Sequence, residues 1–304
     1  MSKTNCFETE KFQDIGEQST LLNFLILMRP KQWIKNLFVF AGLLFSGNLF
    51  NFELATRSIY AFAAFCLASS STYIINDILD AEKDRLHPAK RCRPIASGKV
   101  RIVPAGIMAV LLGLGAIIFS YNLNIYFFLI LSFYMTETLL YSIWLKKVII
   151  LELFVVSSGF VLRAIAGVVI IEDIISPWLL VCTFLLSLFI ILNKRRHELE
   201  ILDDNAGFHR KTLSDYSISL LQNMTSVVTS SIVVTYSLYT FTSEHSIYLM
   251  ATIPFVVYGI FRYLYIIEKK DMAGSPETII IKDKPMLINL LLWVIISIII
   301  VYGC

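Results

Sequence analysis

The run AFAAFCLASSSTYIINDILDAEKDRLHPAKRCRPIASG, residues 61–98, passes without a break from an oily segment into aspartates and then into bases. Asn76, Asp77, Asp80 and Asp84 follow the last apolar residues closely. A helix continued out of the oily segment at about 100° per residue gathers these four side chains within roughly 100° of arc over two turns. Tyr73, one turn earlier, points the same way. Asp and Asn oxygens are hard ligands, and Mg²⁺ takes one or two carboxylates with waters and substrate phosphates rather than a closed protein cage. His87, Lys90, Arg91 and Arg93 follow at once and suit an anion. The stretch reads as a site for a Mg²⁺-bridged diphosphate, with Asn76, Asp80 and Asp84 as metal ligands and Asp77, Asp80 and Asp84 as the catalytic carboxylates. A solvated helix end would account for one aspartate, but not for four ligand-type residues on one face.

Working outward, 57% of the 304 residues are hydrophobic and 16% are charged, whereas soluble chains carry about a quarter charged. The class is an all-α integral membrane protein. Nine apolar segments are each about long enough for a ~30 Å hydrocarbon core: near 36–52, 58–76, 103–120, 124–143, 148–170, 176–193, 219–242, 247–267 and 285–303. They read as one domain, 1–304, with a polar tail over residues 1–20 that lacks the features of a removable signal peptide.

Basic residues near helix ends stay in the cytoplasm. With nine alternating spans, one set of loops and the N-terminal segment hold 23 of the 26 Lys and Arg, while the opposite loops hold Arg57 alone. The expected topology has the N-terminus cytoplasmic, the C-terminus outside, and the polar motifs on the inner face of a cytoplasmic membrane. The net charge of +3 hides that asymmetry, and the basic face suits phosphates and lipid head groups.

Several function classes drop out. The five cysteines, Cys6, Cys66, Cys92, Cys182 and Cys304, are odd in number and widely spaced, and indicate neither a disulfide framework nor a zinc site. There is no H-E-x-x-H and no phosphate-binding G-x-x-x-x-G-K-[ST] loop. A lipid transporter would spread charge through its spans; here charge is concentrated on one membrane face. Nothing implies a nucleic-acid partner.

The segments RPKQWIKN at 29–36, NDILDAEKDRLHPAKRCRPIASG at 76–98, YSIWLKK at 141–147, GFVLRAIAGV at 159–168, ISPWLLVCTFLLSLFIILNKRRHEL at 175–199 and GSPETIIIKDKPML at 274–287 resemble the UbiA superfamily of polyprenyl-group transferases, and within it the decaprenyl-phosphate phosphoribosyltransferase branch. The resemblance implies a bundle of nine transmembrane helices around a lipid-open cavity, capped by cytoplasmic loops. Aromatic prenyltransferases of the superfamily carry a second aspartate-rich motif after the sixth helix. Here that position reads NKRRHELEILDDNAGFHRK, 193–211; Asn193 and His197 repeat the Asn76 and Asp80 spacing, but Lys194, Arg195 and Arg196 make the element basic, and Asp203 and Asp204 do not restore the pattern. Guanidinium forks grip oxyanions bidentately.

The reaction so implied transfers 5-phosphoribose from 5-phosphoribosyl 1-diphosphate to a polyprenyl phosphate, with Mg²⁺ as cofactor; the alternative is a prenyl-diphosphate-dependent aromatic prenyltransferase. The donor would be held by Lys31, Tyr73, Lys90, Arg91, Arg93, Lys194, Arg195 and Arg196. Lys146, Lys147 and Arg163 are the candidates for the lipid phosphate, because an arginine inside a span is costly unless it faces the bundle interior, a partner or water. Arg29 and Lys35, which flank Lys31, read as positive-inside anchors beside Trp33. A homo-oligomer is an open option.

Overall fold

A computed structural model describes residues 20–86, 90–202, 211–242, 247–270 and 282–303. The polar tail, His87, Asp203, Asp204 and the start of the 274–287 motif fall outside the described residues. Every element among those described is helical. Among the described residues, eight helices are long and apolar enough to cross a membrane, which makes the chain a multi-pass membrane protein. The chain forms two compact units, one from residues 1–36 and 60–144, the other from 37–59 and 145–304.

The expected first span is the one that differs. Helix α1 (Thr20–Leu27) stops ahead of Pro30, since the residue before a proline is disfavoured in the right-handed helical region. Arg29 instead takes φ +55°, a left-handed position usually filled by glycine after a helix end. A ten-residue 3-10 helix, Pro30–Val39, then leads into the short α2, Phe40–Phe45. At ~2.0 Å per residue for 3-10 and ~1.5 Å for α geometry, these sixteen residues rise about 29 Å. The count of nine spans is therefore approximate: eight regular helices and this composite segment.

In the first unit, α3 (Phe52–Leu79) supplies the centre through its run Ser69-Ser70-Ser71-Thr72. Small side chains allow close approach between helices in lipid, and each hydroxyl finds an acceptor as burial demands. Ser70 donates to the Met28 carbonyl at 2.9 Å and accepts from Trp33 Nε1 at 3.1 Å. Asn36 donates to Ser69 Oγ at 3.2 Å. Ser71 turns the other way, to the Ala109 carbonyl at 2.7 Å on α5 (Ile102–Leu123). Asn124 ends α5 and caps α6 (Ile125–Ile143), its Oδ1 accepting from the Tyr126 and Phe127 amides, a standard use of asparagine at a helix start.

In the second unit, α7 (Leu151–Ile170) and α8 (Pro177–Leu202) form an antiparallel hairpin, with α9 (Ile218–Thr242) packed along α8. The core joins Leu153, Phe189, Leu192, Leu221, Ile232 and Ile266. The entering segment lies backbone-close on α7: a Cβ placed on Gly167 would sit 1.9 Å from the Val39 carbonyl oxygen. Helices α10 (Ile253–Lys270) and α11 (Lys284–Gly303) are fastened by Arg262, whose Nε and Nη2 reach the two Asp283 oxygens at 3.0 and 2.9 Å. Asp283 also caps α11 by accepting from the Met286 amide at 3.0 Å.

Candidate active site

Helix α3 is 28 residues long, about 42 Å at ~1.5 Å per residue, so its last turns exceed what a ~30 Å hydrocarbon core needs. The acidic motif sits on that surplus. Its backbone stays helical into the short α4 (Ala81–Leu86): Asp80 N–H donates to the Asn76 carbonyl at 3.0 Å, and Asp84 N–H to the Asp80 carbonyl at 2.8 Å. Asn76, Asp80 and Asp84 thus lie one above another at successive turns, as the periodicity predicts.

Asp77 faces an arginine pair. It is 2% exposed, and its Oδ1 accepts from Arg29 Nη2 and, at 3.0 Å, from Arg93 Nη1. The same Arg93 nitrogen donates to Asp84 Oδ2 at 2.5 Å. The Arg29 guanidinium stands 5.3 Å from the Tyr73 ring centre, within the range of a cation–π contact. Burial lowers the Arg29 pKa from its ordinary value; Asp77 opposes that shift and Arg93 adds to it. Arginine keeps its proton in proteins, so Arg29 stands in this cluster as a charged guanidinium.

The 29–36 motif therefore contributes more than membrane anchors. A non-glycine residue at positive φ costs on the order of 1–3 kcal/mol and persists where its surroundings fix it; here Arg29 N–H donates to the Ile26 carbonyl at 3.0 Å, its own carbonyl accepts from Gln32 N–H at 2.9 Å, and its side chain is paired with Asp77. Local sequence alone assigns Arg29 to topology. The available signal was the Arg-Pro step, which ends α1 and leaves Arg29 where a glycine would ordinarily stand.

Mg²⁺ suits this donor set. Asn76 and Asp80 are half-buried and offer oxygen ligands one turn apart, with Asp84 a turn further on. Among the described residues no three His, Cys, Asp or Glu side chains are grouped as a protein cage, and an open set of one or two carboxylates is what Mg²⁺ uses when phosphates and waters complete its shell.

The other expected phosphate contacts are distributed over both units. Lys31 and Arg91 are exposed, and Lys90 is half-buried in the short turn that carries Arg93. In the second unit, Lys146 and Lys147 occupy a 3-10 turn, Leu145–Lys147. Arg163 is buried within α7, its Nη1 donating to the Gly159 carbonyl at 2.6 Å and its guanidinium 5.4 Å from the Phe160 ring centre. Lys194 is half-buried.

The two arginines beside Lys194 are engaged with carboxylates. Arg195 Nε lies 3.2 and 3.3 Å from the Glu152 oxygens, and its Nη1 reaches Glu198. Arg196 reaches Glu200 and Glu268, each at 2.8 Å. The sequence pairs Glu152 with no basic residue; the hairpin brings it level with Arg195.

Comparisons with known proteins agree with these features. The decaprenyl-phosphate phosphoribosyltransferase of Mycolicibacterium smegmatis is 36% identical over 296 residues, covering 92% of this chain and 92% of that protein. The protein of the same name from Mycobacterium tuberculosis is 33% identical over 274 residues, covering 88% and 90%. Among solved structures, a UbiA homolog from Archaeoglobus fulgidus bound to GPP and Mg²⁺ superposes with TM-score 0.72 at 17% identity, over 93% of this chain and 100% of that one; at that identity the likeness concerns the fold. The profile of the UbiA prenyltransferase family matches residues 36–299, and with that match over most of its length the chain belongs to the UbiA prenyltransferase family.

Proposed function

We propose that the protein transfers the 5-phosphoribosyl group of 5-phosphoribosyl 1-diphosphate to a polyprenyl phosphate, releasing diphosphate, on the cytoplasmic side of the inner membrane. The observation that carries the reading is near full-length similarity, at 32–36% identity, to proteins named decaprenyl-phosphate phosphoribosyltransferase. Two features support it. The first unit places two arginines directly on the aspartate motif, and the 194–196 element is basic where a prenyl-diphosphate enzyme would carry a second acidic motif.

The chemistry follows from the charges. Breaking the C1–oxygen bond leaves an oxocarbenium-like ribose carbon and a departing diphosphate. Bound Mg²⁺, held by Asn76 and Asp80 with Asp84, would supply neutralisation of that diphosphate. Arg29, Lys31, Lys90, Arg91 and Arg93 hold the donor's phosphates, and Tyr73 packs beside them. Asp77 keeps two of these guanidiniums aimed. The attacking oxygen belongs to a lipid phosphate already anionic at neutral pH, so no side chain has to remove a proton. Lys146, Lys147 and Arg163 are assigned to that lipid phosphate, and Lys194 and Arg196 to a phosphate of the donor. Positioning and preorganised charge do most of the work.

The test incubates purified protein with ribose-labelled 5-phosphoribosyl 1-diphosphate, Mg²⁺ and polyprenyl phosphates of several lengths. Label in the lipid phase is expected. A protein that leaves label in water yet prenylates an aromatic acceptor from a prenyl diphosphate belongs to the alternative reaction.

A further inference from the structure

We propose that Arg93 is an exchangeable counterion: in the ligand-free protein it neutralises Asp84, and it gives up that carboxylate to Mg²⁺ and turns to the donor's diphosphate as the two ligands bind. The inference rests on the metal and donor reading above.

The asymmetry between the two aspartates carries it. One nitrogen, Arg93 Nη1, serves both Asp77 and Asp84. Asp77 has a second guanidinium, Arg29, and stays compensated if Arg93 turns away. Among the described residues the ion pair of Asp84 is with Arg93. Asp84 also belongs to the Asn76–Asp80 face through the continuous helical backbone, so a guanidinium and a metal ion compete for the same carboxylate.

Exposure is also divided unequally. The Arg93 side chain is 26% exposed, against 6% for Asp84 and 3% for Asp77. Its backbone is fixed at both ends, Arg93 N–H donating to the Lys90 carbonyl and Ser97 N–H to the Arg93 carbonyl. The part free to change partners is therefore the side chain, tethered at Asp77 while its other contact swaps. Metal alone must displace a cation, and donor alone meets a guanidinium still committed to Asp84. Each ligand removes the other's obstacle, and that coupling is reciprocal by thermodynamic necessity.

The experiment measures binding without turnover, in detergent and with no lipid acceptor present. Mn²⁺ is the metal probe, followed by the paramagnetic resonance signal of the free ion, and labelled 5-phosphoribosyl 1-diphosphate is followed by equilibrium filtration. Arg93→Gln is expected to bind Mn²⁺ alone roughly tenfold more tightly than the wild type, since a competing cation is gone, and to bind the donor roughly tenfold more weakly, each factor corresponding to ~1.4 kcal/mol. Asp84→Asn supplies the converse: with chelator present it is expected to bind the donor more tightly than the wild type, because Arg93, still tethered at Asp77, is no longer committed to Asp84. Unchanged or weaker Mn²⁺ binding by Arg93→Gln overturns the exchange, as does unchanged or weaker metal-free donor binding by Asp84→Asn if the first variant does not fold. A wild type that binds neither Mn²⁺ nor donor would instead remove the functional reading itself.

Discussion

Replacing Arg195 with Ala should destabilise the second unit by about 3–5 kcal/mol, the usual cost of removing one member of a buried ion pair. Glu152 is fully buried and the Arg195 side chain is 6% exposed, so the deletion takes a guanidinium away from a carboxylate that water cannot easily reach. Glu198, 31% exposed, can return to water and adds at most about 1 kcal/mol. Replacing both members, Glu152→Gln with Arg195→Met, removes the buried negative charge along with its guanidinium and should recover most of the loss, because neutral substitutes for a buried pair are often tolerated. Unfolding in mixed micelles with rising sodium dodecyl sulfate would give the free energies, and phosphoribosyl transfer by each variant would be measured alongside. A loss below about 1 kcal/mol for Arg195→Ala, or a double variant no more stable than the single one, would refute the burial argument. If the double variant is stable and still active, Arg195 is an anchor; if it is stable and inactive, Arg195 grips phosphate.

Asp80→Asn should fold and insert yet lose a hundredfold or more in turnover, since metal charge stabilisation is worth several kcal/mol; near-normal activity at saturating Mg²⁺ would defeat the ligand assignment. Arg196→Ala should change stability by no more than about 1 kcal/mol, given its exposed partners Glu200 and Glu268, while raising KM for one phosphorylated substrate roughly tenfold to hundredfold. Unaltered KM for both substrates would return it to the role of a topology anchor. Gly167→Ala forces a methyl onto the Val39 carbonyl and should cost about 3 kcal/mol or more, whereas Gly106→Ala, with open space around it, should be neutral or stabilising by up to about 1 kcal/mol; equal melting behaviour would contradict the close approach. A reporter fused after Cys304 is expected outside the cytoplasm, and a cytoplasmic signal would reverse the topology.

Periodicity and apolar length located eight membrane helices, because segments such as 103–120 or 285–303 leave little else for the chain to do. The first span resisted the same reading: hydropathy is blind to whether Pro30–Phe45 winds as 3-10 or α, and the choice depends on Arg29, Pro30 and contacts such as Gly167 with Val39. The spacing of Asn76, Asp80 and Asp84 was legible, since one helix carries all three. Arg29 on Asp77 is separated by 48 positions and Arg195 on Glu152 by 43, and no local pattern reports partners so distant. In the sequence both arginines belong to basic clusters, and in each case a buried carboxylate on another element decides what they face.

The Glu152–Arg195 pair also bears on how the chain enters the membrane. Each residue alone burdens its helix: a charge at the centre of a span costs about 2.5–3.5 kcal/mol during insertion, and less toward the ends where these two lie. Helices α7 and α8 are consecutive and joined by only residues 171–176, with Glu152 near the start of one and Arg195 near the end of the other. The charges therefore close the open end of a hairpin whose other end the chain already closes. Leaving the translocation channel as a joined pair, the two helices carry Glu152 and Arg195 as one neutral pair instead of two separate ions, which favours release of the helices together over release one at a time.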